Sequence, residues 1–241
     1  METLELVLLG AAVLVGSGTQ RLTGLGFALV TAPFLVLLTD PFTGVLLANA
    51  LSLVANLVVL AQTWRAVEVR RALLFAVPAL VAIVPGALVA RSLPAPVLSI
   101  SVGVLVLLAL VAVMASERAR VLRGTAGAVT AGAVSGFMNV TAGVGGPAIT
   151  VYAVSTGWAH VSFVATVQLY FALVNAGSLA AKGWPDVGVA TWAVAAGALV
   201  VGVVAGQRLT RVVPPDRARH LVVGLALLGS GATVVKGLLD L

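Results

Sequence analysis

Two stretches of this sequence combine glycine with hydrogen-bonding side chains inside otherwise apolar surroundings. The first is Gly16-Ser17-Gly18-Thr19-Gln20-Arg21-Leu22-Thr23-Gly24-Leu25-Gly26; the second is Ser135-Gly136-Phe137-Met138-Asn139-Val140-Thr141-Ala142-Gly143-Val144-Gly145-Gly146-Pro147. Glycine permits positive φ and lets a backbone come close to a ligand. Where such a run breaks a helix, the N–H groups opening the next helix are free to hold an anion, and the helix dipole adds to them. Pro147 suits the first turn of that next helix, where its missing N–H costs nothing. Gln20, Arg21, Thr23, Gly24 and Gly26 on one side, and Asn139, Thr141, Gly143, Gly145 and Gly146 on the other, are therefore expected to bind substrate. The competing reading is that these glycines only let helices pack closely, as small-xxx-small patterns do.

Arg21 is the only Arg or Lys in either stretch, and no carboxylate lies near it in sequence. A cation buried in lipid is costly unless paired, so an anion with several oxygens is one partner for it. Snorkelling into headgroups is the other reading. Asn49 and Asn56 form a second constellation with Gln168 and Asn175, each pair seven residues apart. Seven residues is about two helical turns, so each pair shares a helix face. That face either bonds a neighbouring helix or looks onto a substrate cavity. Ser52, Tyr170 and Ser178 lie on the same segments without a spacing that selects them.

Other chemistries lack their residues. The chain has no Cys, and its two histidines, His160 and His220, have no metal-ligand spacing. All eight acidic residues (Glu2, Glu5, Asp40, Glu68, Glu117, Asp186, Asp216 and Asp240) lie near segment ends or in loops. No nucleophile–base pair or metal cluster is expected, hence no enzyme and no cofactor. Proton or ion coupling is open, with no residue to assign to it, and so is pairing into a homodimer.

The solvent of these elements follows from composition. Of 241 residues, 61% are apolar and 9% charged, and mean hydropathy is +1.16. A soluble chain carries about 25% charged residues, so the lipid bilayer is the expected surroundings. The pI of 11.1 and net charge of +6 do not point to nucleic acid, because the basic residues sit in loops between apolar runs. The first apolar run has Glu2 and Glu5 where a signal peptide is basic, and is expected to be retained.

Apolar segments fall at 4–16, 22–38, 42–62, 72–90 and 95–115, then at 124–138, 142–157, 161–181, 187–207 and 219–239. A helix needs about 20 residues to cross the hydrocarbon core. The last three of each series meet that length. The first two are short and Gly-rich, so they are expected either to span or to re-enter as half-helices. A shift of 119 places Gly24-Leu25-Gly26 on Gly143-Val144-Gly145, Asn49 on Gln168 and Asn56 on Asn175. One further residue of slip brings Gly86, Arg91 and Pro94 onto Gly206, Arg211 and Pro214. The expected architecture is one all-α polytopic membrane domain over 1–241, with repeat one at about 1–118 and repeat two at about 119–241.

Loop charge orients it. Arg65, Arg70, Arg71, Arg118, Arg120, Arg123, Arg208, Arg211, Arg217 and Arg219 lie in three loops and make up ten of the fourteen basic residues. Placed in the cytoplasm, these loops put equivalent connections of the two halves on opposite faces of the cell inner membrane. The repeats are then inverted, and inverted repeats bind substrate at the midplane where matching helices are broken.

With its size, its duplicated apolar unit and its Gly-rich motifs followed by proline, the chain resembles the sulfite exporter TauE/SafE family of permeases over nearly its full length. Thr23-Gly24-Leu25-Gly26-Phe27 with Pro33, and Ala142-Gly143-Val144-Gly145-Gly146-Pro147, carry the resemblance. The second motif has the family's Gly-x-Gly-Gly run, whereas the first has Phe27 in place of its last glycine. The resemblance implies a secondary transporter that moves sulfite, an organosulfonate or a related small anion, usually outward, through seven or eight spans. An anion channel and, further off, an integral-membrane enzyme are the alternatives.

Overall fold

The computed structural model describes residues 2–23, 26–116, 122–209 and 214–241, and their side chains other than those of 21–23, 26, 116, 215–216 and 218–219. Ten α-helices account for nearly all of it, and the described residues form no strand. They are α1 (Thr3–Thr23), α2 (Gly26–Leu38), α3 (Pro41–Thr63), α4 (Val69–Ser92), α5 (Ala95–Ser116), α6 (Gly124–Ala142), α7 (Gly146–Thr156), α8 (His160–Lys182), α9 (Val189–Leu209) and α10 (Pro215–Leu239). Helices are what an apolar chain must form in lipid, where every backbone N–H and C=O has to be satisfied within its own segment. Among the described residues seven helices are long and apolar enough to cross a membrane: α1, α3, α4, α5, α8, α9 and α10. The protein is a multi-pass membrane protein.

Local sequence sets the helix ends. Asp40 caps α3, its Oδ1 accepting from the Phe42 N–H at 3.0 Å and the Thr43 N–H at 2.9 Å, with Pro41 at the first helical position. Gly143 ends α6 at φ +73°, a left-handed cap that glycine adopts without a Cβ penalty, and its N–H returns to Asn139 O at 2.9 Å. The first and sixth segments run further than the sequence suggested. α1 continues through Gly16-Ser17-Gly18 to Thr23. α6 likewise continues through Ser135–Thr141 and breaks only at Gly143. Glycine did not stop these helices because it is packed. A Cβ on Gly16 would collide with Thr31 Oγ1, and one on Gly136 would lie 2.6 Å from Ala79 Cα.

Small residues decide which helices meet. α4 turns Ala72, Ala76, Ala79, Gly86 and Ala90 inward and leaves Val77, Val81, Val84 and Leu88 exposed at 60% or more, as a lipid-facing helix does. Its small face packs on Gly132 and Gly136 of α6, with backbones in near contact. On the other side of the bundle α1 packs on α9, where Gly202 meets Leu14 O and Ser17. α3 packs on α8, and α5 on α10.

The connections sort to two ends. Trp158, between α7 and α8, donates from Nε1 to Glu68 Oε1 at 2.9 Å, just before α4. Arg71 pairs with Glu68 at 3.1 Å and lies over the Trp158 ring at 4.6 Å. At the other end, Arg91 Nη2 donates to Ala181 O at 2.8 Å, and Lys236 Nζ to Leu37 O at 3.0 Å. A vestibule of about 400 Å³ there is bounded by Leu6, Leu38, Asp40 and Asp186.

Candidate functional site

The end of α1 and the start of α2 meet the end of α6 and the start of α7 around one space inside the bundle. Between them lies a cavity of about 30 Å³. One water needs roughly 10–15 Å³ on that measure, so the space suits a body of about two or three water molecules. Gln20 at the end of α1, and Phe27 and Ala28 at the start of α2, line one side. Asn139 near the end of α6, and Gly145 and Gly146 at the start of α7, line the other. Ser52 and Asn56 from α3, and Phe171 and Asn175 from α8, also line it.

The amides form the same bond twice. Gln20 Nε2 donates to Asn56 Oδ1 at 3.2 Å, and Asn139 Nδ2 donates to Asn175 Oδ1 at 3.0 Å. The partners are 36 residues apart in both cases, and the shift of 119 carries Gln20 onto Asn139 and Asn56 onto Asn175. All four side chains are buried. A buried amide left without partners costs about 1–3 kcal/mol, so each bond fixes one oxygen and orients the rest of its amide.

The backbone at the break is unevenly satisfied. Asn139 O accepts from the Gly143 N–H and from Asn49 Nδ2 at 3.4 Å, and Val140 O accepts from Lys182 Nζ at 3.1 Å. These two acceptors near the end of α6 are thus taken up by protein donors. No side chain caps the start of α7, whose Gly145 and Gly146 border the cavity. Donors, not acceptors, are on offer there. Ser52 adds one more: its Oγ is buried, borders the cavity and has no hydrogen-bond partner among the described residues.

Of the residues picked out in the sequence, Gln20, Asn56, Asn139, Gly145, Gly146 and Asn175 line the cavity. Asn49 stands one bond behind it, on Asn139. Gln168 is buried away from the wall with its Oε1 unpartnered, and Thr141 donates its hydroxyl to Phe137 O at 2.7 Å within its own helix. Gly143 serves as the cap of α6, packed near Ala32 and Ala48. Arg21, Thr23, Gly24 and Gly26 fall outside the described side chains.

A Cβ on Gly145 would lie 2.6 Å from Ser135 Oγ and 2.8 Å from Ser135 O. Valine there is therefore expected to push α6 and α7 apart, so its effect on transport cannot be read as simple filling of the site. Lys182, at the end of α8, is 5% exposed, with its amine on Val140 O and 4.3 Å from the Phe42 ring centre. Phe171 carried no sequence signal, because aromatic residues in apolar helices are ordinarily core.

A multi-pass helical bundle around a small cavity lined in part by buried amides has the build of a membrane permease. The chain belongs to the sulfite exporter TauE/SafE family, whose model matches residues 8–233. No curated protein and no solved structure matches it.

Proposed function

We propose that this chain is a secondary transporter that carries a small oxyanion, sulfite or an organosulfonate, outward across the cell inner membrane. The amide hydrogen bond made twice around one cavity carries the reading, because it gives both halves a matched role at a single site. Gln20, Asn56, Asn139 and Asn175 supply oriented amides, and the start of α7 supplies backbone N–H groups. Arg21 directly follows Gln20 and is assigned to the same anion, together with Thr23, Gly24 and Gly26; Asn49 supports Asn139. Gly143 shapes the break, and Thr141 and Gln168 complete the polar surroundings.

The repeats are inverted in this reading. Exchanging the halves turns the α4–α6 contact into α9–α1 and leaves α3–α8 and α5–α10 unchanged, which supports it. So does the sorting of loops: the α7–α8 turn shares an end with Glu68, while α2 ends beside Lys236 and the vestibule at the opposite end. Hairpins α1–α2 and α6–α7 then enter from opposite faces and meet at the midplane. Exposed Trp64 and Trp184 follow α3 and α8. Trp64→Cys and Pro214→Cys are expected to be labelled only from the cytoplasm, and Trp184→Cys only from outside. Labelling of positions 64 and 184 from one face would defeat the inverted arrangement.

Purified protein in liposomes tests the function. Labelled sulfite is expected to move with saturation, and its rate to respond to an imposed ion or pH gradient. Flux without saturation would indicate a channel, and no flux of sulfite or any small sulfonate would overturn the proposal.

A further inference from the structure

Four pairs of cavity residues are related by the same shift of 119: Gln20 with Asn139, Asn56 with Asn175, Ser52 with Phe171, and Phe27 with Gly146. The first two pairs match in chemistry, and the last two do not. Each half replaces a small residue of the other by phenylalanine. Phe27 and Phe171 are 2% and 6% exposed and belong to the two separate hydrophobic clusters that flank the cavity. Neither ring has room to withdraw without disturbing the core behind it. A cavity with Gly at 27 and Ser at 171 would be wider and evenly polar. The one present holds about 30 Å³, and among its described residues one hydroxyl, that of Ser52, is unpartnered.

We infer that this asymmetry sets the substrate class: the site takes an inorganic oxyanion with three oxygens on one central atom and rejects sulfonates bearing a carbon substituent. Phe27 and Phe171 close the space an alkyl group would need, and the Ser52 Oγ–H donates to one anion oxygen. An anion oxygen gives that buried hydroxyl the acceptor that the protein withholds. The inference rests on the transporter reading above and narrows it.

Binding to purified protein decides it, with sulfite and methanesulfonate as probes and calorimetry or thermal shift as readout. The parent is expected to bind sulfite at least about ten-fold more tightly than methanesulfonate, the scale of discrimination one methyl group supports in a tight pocket. Phe27→Gly, which makes the first half like the second, is expected to raise methanesulfonate affinity by roughly ten-fold, with Phe27→Ala in between. Ser52→Ala is expected to weaken sulfite binding by about ten-fold or more, as loss of a hydrogen bond to a charged group does. A gain in methanesulfonate binding cannot come from misfolding. Should both Phe27 variants fail to fold, Ser52→Ala and the parent's own discrimination decide the matter. A parent that binds the two anions alike, or Ser52→Ala and Phe27→Ala proteins that bind as the parent does, would overturn the inference while leaving transport of a small anion standing. A parent that binds neither anion would overturn both.

Discussion

Asn139→Leu is expected to abolish transport and to lower the melting temperature, whereas Asn139→Gln is expected to retain much of both. Asn139 Nδ2 lies within hydrogen-bond reach of three acceptors: Asn175 Oδ1 at 3.0 Å, Ser178 Oγ at 3.1 Å and Asn49 Oδ1 at 3.4 Å. Leucine fills the volume but leaves these buried groups on α3 and α8 without that donor. Hydrogen bonds between membrane helices average only about 0.6 kcal/mol and the amide has two hydrogens to give, so the stability loss should be about 1 kcal/mol. The loss of transport should be far larger, because the amide that orients the cavity wall is gone. Glutamine is the informative control, since Gln20 makes the equivalent bond to Asn56 in the first half. Thermal melts and sulfite flux on the same preparations separate the two effects. Normal flux through Asn139→Leu would remove the amides from the site.

Gly136→Val is expected to prevent accumulation of folded protein, with Gly136→Ala intermediate and Gly197→Val like the parent. A Cβ at position 136 would lie 2.6 Å from Ala79 Cα and 2.7 Å from its carbonyl carbon. Overpacking a core costs about 1–3 kcal/mol where side chains can shift. Here the obstacle is backbone, so α4 and α6 must separate and the cost lies at or above that range. Nothing lies within 4 Å of a Cβ on Gly197. Both substitutions put the same β-branched residue into a helix, which cancels its propensity cost. Expression and melting in detergent are the readouts. A Gly136→Val protein that melts with the parent would show that the close α4–α6 crossing does not hold the bundle together.

These two variants mark the border between what composition fixes and what packing fixes. A glycine in an apolar helix looks alike at positions 136 and 197. Its surroundings differ: the α4 backbone at one and open space at the other. Single glycines therefore carry little information, whereas the polar residues of the two Gly-rich stretches include Gln20 and Asn139, which line one cavity.

From sequence alone came everything that depends on solvent and period. Apolar runs without charge must be helices in lipid, because the backbone has no other way to satisfy itself there. The Gly-rich stretches held Gln20 and Asn139, and the duplicated amide spacing marked Asn49, Asn56, Gln168 and Asn175, since burying an amide in such a chain requires a partner. What only the tertiary structure decided is which partners meet: that Gln20 bonds Asn56 and Asn139 bonds Asn175, that Thr141 turns back on its own helix, and that Lys182 reaches Val140 O. It also decided that Phe27, Phe171 and Ser52 face one small cavity. Apolar and hydroxyl side chains have no obligatory partner in sequence, so the wall they form is set by helix crossings, and those are fixed by close contacts between residues far apart in the chain.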